Sequence, residues 1–245
     1  MWYEEVRKTI VKRNITALQR NILLLVSKAC RTTSTVALQT ILGAKPMDLK
    51  IIEDALVKRI KRNLSTTWDT YTCMERETER AQELLSSEIE RIKAHIAENW
   101  QRRWETDVHG RETFKYIDKV NFVQNNNSWF KINRYATYLI TGYGPINSTL
   151  NKRGLTESNG CPSCRAAEET TEHILFECPV YTNVRLDRME SYRGKEKELI
   201  QNKEILEKFN EFATSVFKIR QERTESRGSA SPWQGRETAD ETSDG

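Results

Sequence analysis

Four potential metal ligands crowded into 18 residues constrain this chain more than any other feature. Cys161, Cys164, His173 and Cys178 read C-x2-C-x8-H-x4-C within the stretch GCPSCRAAEETTEHILFECP. Zinc takes four soft or borderline ligands in a tetrahedron, and a C-x2-C pair offers two thiolates on one tight turn. Gly160 and Pro162 suit that turn, because glycine frees φ and proline fixes it. His173 and Cys178 then close the site from a short helical segment. Four protein ligands leave no open position for water, so the spacing predicts a structural zinc ion and not a catalytic one.

Little else in the composition promises a large core. Of the 245 residues, 37% are hydrophobic and 30% charged, and the mean hydropathy is −0.71. Such a polar chain is expected to form elongated helical pieces around small cores. The longest apolar run, Ile22 to Val26, lies between Arg20 and Lys28 and is far shorter than the roughly 18 residues a membrane span needs. Glu4 and Glu5 sit where a secretory signal would carry basic residues. The cysteine count of five is odd, and three are claimed by the metal motif. Cys30 and Cys73 stand alone on helical patterns, which points to a reducing, intracellular compartment.

The net charge of +4 conceals an asymmetry. Residues 1–62 carry 13 Lys/Arg against 5 Asp/Glu, and residues 111–165 carry 8 against 3, whereas residues 63–110 carry 6 against 10. Two basic blocks favour a polyanionic partner through counterion release, although solvated helix faces are often basic too.

Periodicity makes the chain mainly α. Residues 3–31 read as an amphipathic helix with Ile15, Leu18, Ile22, Leu25, Val26 and Ala29 on one face. Ser34 or Thr35 caps a second helix through Ile41, which Gly43 and Pro46 end. Leu49 opens a third helix, to Asn63. Over 74–104, Leu85, Ile89, Ile92, Ile96, Trp100 and Trp104 mark a long helix with one apolar face. Residues 196–223 give a last helix striped by Leu199, Leu206, Phe209, Phe212, Ala213, Val216 and Phe217. From Thr224 the Ser/Gly/Thr/Asp/Glu-rich tail should be disordered. The expected architecture is therefore a set of helical segments around a small zinc-stabilised CCHC module, with a disordered C-terminal tail. Its segments are 1–63 (basic, helical), 64–109 (long amphipathic helix), 110–185 (aromatic and basic, with the CCHC module), 186–223 (C-terminal helix) and 224–245 (tail).

Residues 111–143 hold Phe114, Tyr116, Phe122, Trp129, Phe130, Tyr135, Tyr138 and Tyr143 among Arg111, Lys115, Lys119, Lys131 and Arg134. Aromatics between cations can stack bases while the cations hold phosphates. Burial is the commoner use of aromatics, and most of these are expected to build the core that positions the metal module. Trp129 and Tyr135 remain open to either use.

Three stretches together carry a family resemblance. TGYGPINSTLNKRGLTESNGCPSCRAAEETTEHILFECPVYTNVR, residues 141–185, resembles the C-terminal cysteine–histidine region of insect non-LTR retrotransposon polyproteins, in particular the type-one elements that insert into ribosomal RNA genes. QRNILLLVSKACRTTSTVALQTILGAKPMDL, residues 19–49, is similar to the family's helical stretch downstream of the reverse transcriptase. WQRRWETDVHGRETFKYI, residues 100–117, is similar to its W-x3-W…G-R-x-T motif. The matches follow the family's order over roughly residues 15–185. The resemblance implies a polyprotein with an endonuclease, an RNA-directed DNA polymerase and this C-terminal region, acting at a nicked chromosomal target and so in the nucleus. It also implies that the chain is a C-terminal fragment, with the upstream polymerase domain as a partner.

Two departures accompany the resemblance. Tyr143 stands where many relatives carry His. The eight-residue spacer between Cys164 and His173 is longer than that of a retroviral zinc knuckle, and it is acidic, with Glu168, Glu169 and Glu172. Those carboxylates repel phosphate, so contacts to RNA or DNA are expected from Lys131, Arg134, Lys152, Arg153, Arg165 and Arg185 instead. The chain has no Asp-Asp pair of the kind a polymerase uses to hold two metal ions, and His95 and His109 lie near no nucleophile motif, so no catalytic residue is assigned. Two functions compete at this point: a zinc-stabilised nucleic-acid-binding module serving target-primed reverse transcription, or a zinc-stapled helical scaffold for protein contacts or self-association, favoured by the stripes on 85–104 and 199–217.

Overall fold

The computed structural model describes residues 5–6, 8–75, 81–186 and 189–226. The expected disorder of the tail therefore falls almost wholly outside the described residues. The chain divides into two compact units, one made of residues 1–26, 34–109 and 117–127, the other of residues 27–33, 110–116 and 128–245. Among the described residues, no helix is long and apolar enough to cross a membrane.

The first unit begins with α1, Thr9–Ser27. Its expected apolar face is turned outward: Leu18 is 67% exposed and Leu25 76%, while Gln19 and Leu23 are buried. The reason is hydrogen bonding. Gln19 Oε1 accepts from Gln39 Nε2 at 2.8 Å and from the Met47 amide at 3.0 Å, and Gln19 Nε2 donates to the Lys45 carbonyl at 2.8 Å. One amide thereby satisfies a neighbouring side chain, a loop carbonyl and an orphan N–H at the start of the third helix, which outweighs burying another leucine.

Helix α2, Thr35–Ile41, is capped by Ser34, whose Oγ accepts from the Ala37 amide at 3.3 Å. Helix α3, Met47–Lys61, buries Leu49, Ile52, Leu56 and Ile60. It also buries Asp48, in its first turn, where Arg103 Nη1 reaches the carboxylate at 2.7 Å. An antiparallel hairpin follows, β1 (Thr66–Trp68) and β2 (Tyr71–Cys73), paired Thr66 to Cys73 and Trp68 to Tyr71. The hairpin replaces the helical surroundings expected for Cys73. Its Trp68 and Tyr71 rings pack on His95, at 5.4 and 5.9 Å between centroids, so His95 is half-buried and not a surface residue. His109 is exposed.

Helix α4, Ala81–Thr106, packs on α3 and buries Ile92, Ile96, Trp100 and Trp104, four of the six residues of the expected stripe. Trp104 Nε1 donates to the Ile117 carbonyl at 2.9 Å. The W-x3-W pair is thus part of the core of this unit, which the short α6, Phe122–Asn125, completes through Val123.

In the second unit, α5 (Arg111–Phe114) precedes α7, Arg134–Thr141. Asn133 caps α7 by accepting from the Ala136 amide at 2.8 Å, and its Nδ2 donates to the Asn210 carbonyl and to Thr214 Oγ1. Gly142 ends α7 at φ +70°, and a Cβ on Gly144 would lie 2.6 Å from Tyr138 Cβ. Those two needs, a left-handed cap and a close backbone approach, account for the glycines of the T-G-x-G motif. After α8, Asn147–Asn151, come the ligand loop and three short 3-10 turns. The last helix, α9, runs Lys203–Glu225 and starts at the Asn202 cap. Its Leu206, Phe209, Phe212, Ala213, Val216 and Phe217 are all buried, with Phe217 stacked on Tyr135 at 5.5 Å.

Candidate metal centre

The ligand atoms of Cys161, Cys164, His173 and Cys178 all lie within 4.8 Å of one another. Cys161 and Cys178 Sγ are 4.0 Å apart, and Cys164 Sγ is 3.3 Å from His173 Nε2. A zinc–sulfur bond of about 2.3 Å implies sulfur–sulfur edges of about 3.8 Å in a tetrahedron, so the set fits one zinc ion. It does not fit a disulfide, and all five cysteines are free thiols.

Local structure explains how the four converge. The first pair sits on a turn closed by the Arg165 amide donating to the Cys161 carbonyl at 2.9 Å. Arg165 itself takes φ +64° to leave that turn. The second pair depends on a π-turn over His173–Glu177, in which the Cys178 amide donates to the His173 carbonyl at 2.7 Å. In an α-helix, residues five apart diverge by about 140°. A bond from residue i to i+5 closes one whole turn over the same five residues, which puts His173 and Cys178 on one side. Nε2 of His173 faces the thiols, while buried Nδ1 has no hydrogen-bond partner and lies 3.7 Å from Glu177 Oε2. A carboxylate behind a ligating imidazole is a common second layer of zinc sites.

The electrostatics ask for a cation. Burial pushes the Cys161 thiol up to about 12 and raises Cys178 as well. For Cys164, burial acts upward too, but the Ala166 amide and the neighbouring thiols outweigh it and lower its pKa. Three thiolates cannot share this buried space unless a multivalent cation compensates them.

The expected cations differ in their freedom. Lys131, Lys152, Arg153 and Arg165 are exposed, and among the described residues none of them forms an ion pair. Arg134 lies over its neighbour Tyr135, with 5.1 Å from the guanidinium to the ring centroid. Arg134 and Arg153 converge near Cys30, whose thiol is pushed up to about 11 by burial against the pull of both guanidinium charges. Arg185 is half-buried and donates to the Cys178 carbonyl at 2.7 Å, holding a ligand's backbone. Tyr135 is stacked on Phe217, and Trp129 lies edge-on to Phe130.

The acidic spacer is not uniform. Glu168 and Glu172 are exposed, and Glu172 lies 3.5 Å from Arg193. Glu169 is 0% exposed and bonded to Arg220. That pairing was not legible in the sequence, because its partners are 51 positions apart.

The four ligands converge as a structural zinc site requires, and the family model described as zinc-binding in reverse transcriptase matches residues 98–184. No solved structure matches the chain. The chain is a homologue of the Pol polyproteins of type-1 R1 retrotransposable elements. It is 31% identical to the "Retrovirus-related Pol polyprotein from type-1 retrotransposable element R1 2" of Nasonia vitripennis, over 77% of this chain and 45% of that relative. It is 30% identical to the "Putative 115 kDa protein in type-1 retrotransposable element R1DM" of Drosophila melanogaster, over 89% and 21%. It is 29% identical to the R1 Pol polyprotein of Bradysia coprophila, over 76% and 18%. The chain thus spans less than half the length of each of these relatives.

Proposed function

We propose that this chain is the zinc-stabilised nucleic-acid-binding module of a retrotransposon Pol polyprotein, and that it holds template RNA or target DNA during target-primed reverse transcription at the chromosome. One observation carries the reading. Lys131, Lys152, Arg153 and Arg165 are exposed and unpaired among the described residues, while of the spacer acids Glu169 is bonded to Arg220 and Glu172 lies 3.5 Å from Arg193. Cations that no internal acid neutralises are the groups that displace counterions from a phosphate backbone. In this reading zinc folds the loop, the flanking cations bind, and polymerase and endonuclease chemistry belong to other parts of the polyprotein. The test is fluorescence anisotropy with labelled single-stranded RNA and DNA over a range of salt. Affinity is expected to fall steeply with salt, and the double substitution Lys152→Glu and Arg153→Glu is expected to weaken it. Binding indifferent to both salt and these charges rejects the proposal.

A second reading is favoured by α1. Val11, Ile15, Leu18, Ile22 and Leu25 recur at spacings of four, three, four and three, the seam of a coiled coil, and Leu18, Ile22 and Leu25 are exposed. Of the positions flanking the seam, Asn14, Gln19, Asn21 and Val26 carry no charge, and the one charged flank, Lys12, lies 3.6 Å from Asp48 of its own unit. The stripes of α4 and α9, by contrast, are spent largely within their own units. In this reading the helix pairs with itself. Light scattering of the full chain should show a dimer that Leu18→Glu with Ile22→Glu dissociates. A wild-type monomer at every concentration rejects it.

A further inference from the structure

The family model ends at residue 184, yet side chains from beyond it grip the ligand loop. Glu169, in the spacer between Cys164 and His173, is fully buried. Arg220 of α9 donates to it through both edges of its fork, Nε to Oε1 at 2.7 Å and Nη2 to Oε2 at 3.0 Å. Arg220 Nη2 also reaches Asn147 Oδ1 at 3.0 Å, and the Asn147 amide donates to Glu169 Oε2 at 2.6 Å. Asn147 Nδ2 in turn donates to the carbonyl of Gly160, the residue before the first ligand, at 2.8 Å. One turn further along α9, Arg223 Nη1 donates to the carbonyl of Ser163, between Cys161 and Cys164, at 3.2 Å.

A carboxylate out of water is tolerated only when it is paired and its lone pairs are satisfied. Here the pairing cation stands on a helix locked by Phe209, Phe212, Val216 and Phe217 in the core of the same unit. The position of the ligand loop is therefore set by α9.

We infer that α9 is an integral part of the metal module, and that Arg220 is a remote positioning residue for the zinc ligands. The module then extends to about residue 225, and this inference rests on the zinc reading of the site. Outer-layer partners of zinc ligands typically change metal affinity about 10- to 100-fold when removed. Linkage makes the effect reciprocal: if α9 favours the metal, the metal protects α9.

The experiment uses the full chain and zinc alone. Chelator competition gives the zinc dissociation constant for wild type, Arg220→Met, Arg220→Lys and the exposed control Lys218→Met. Hydrogen exchange follows residues 203–225 in the wild type with and without zinc, and the ligand-field bands of the cobalt(II)-loaded protein report the ligand geometry. The expected results are at least about tenfold weaker zinc binding in Arg220→Met with shifted cobalt bands, partial recovery in Arg220→Lys, no change in Lys218→Met, and faster exchange of α9 after zinc removal. Arg220→Met that folds and binds zinc within about twofold of wild type overturns the inference. Should Arg220→Met not fold, the wild-type exchange decides, and α9 protection indifferent to zinc overturns it equally. A wild type that takes up no zinc rejects the zinc reading itself, and this inference with it.

Discussion

Trp104 offers a direct way to separate packing from ligand contact in a motif that both functional readings share. Its indole is 1% exposed, and Nε1 donates to the Ile117 carbonyl at 2.9 Å. Trp104→Phe keeps an aromatic ring but removes the donor and part of the ring volume. The buried Ile117 carbonyl then loses its partner, which costs about 1–3 kcal/mol. A residual void of about 40 Å³ adds about 1 kcal/mol at the usual cost per unit of cavity volume. The expected loss is about 2–4 kcal/mol in a urea titration of the full chain, with the denaturant dependence of the transition unchanged. The same variant should bind labelled RNA as the wild type does, because a ring with 1% exposure has no face to offer a base. A loss below about 1 kcal/mol would refute the packing argument. Weakened RNA binding by a fully folded variant would refute the assignment of this tryptophan to the core.

Three further outcomes are expected. Removal of zinc by a chelator should make residues 150–185 accessible to protease, since structural zinc supplies much of the folding free energy of such loops; unchanged protection would contradict it. Gly144→Ala should lower stability by about 1–3 kcal/mol in a denaturant titration, because the new Cβ meets Tyr138 Cβ at 2.6 Å and a helix-bound ring cannot simply withdraw. Burial holds the Cys30 thiol up at about 11 against an ordinary 9.0, so its neutral form favours the folded state below about pH 9 and that contribution fades as pH rises toward 11. Cys30→Ala should remove this alkaline component, and identical pH profiles for the two proteins would argue against it.

What the sequence disclosed and what it concealed divide along the range of the interactions. The four metal ligands were legible because they lie within 18 residues and chemistry fixes their types. The stripe of α9 was legible because six large or small apolar residues at helical spacing have few other uses. The same logic failed for α1, whose stripe is as regular but faces outward. Periodicity says that a face is apolar, not that this chain covers it, and one well-placed amide at Gln19 turned the helix the other way. The hairpin at 66–73 escaped notice because strands of three residues are too short to show alternation. The π-turn was hidden because no residue type demands it; it follows from requiring His173 and Cys178 to reach one ion. Glu169 was the most instructive miss. In sequence it is one of three spacer acids that should repel phosphate, whereas in the fold its charge is cancelled by Arg220, 51 positions away. The acidic spacer therefore presents fewer free charges beside the metal site than a residue count suggests, and the neighbouring Lys152, Arg153 and Arg165 act against a weaker opposing field than the composition of the loop implies.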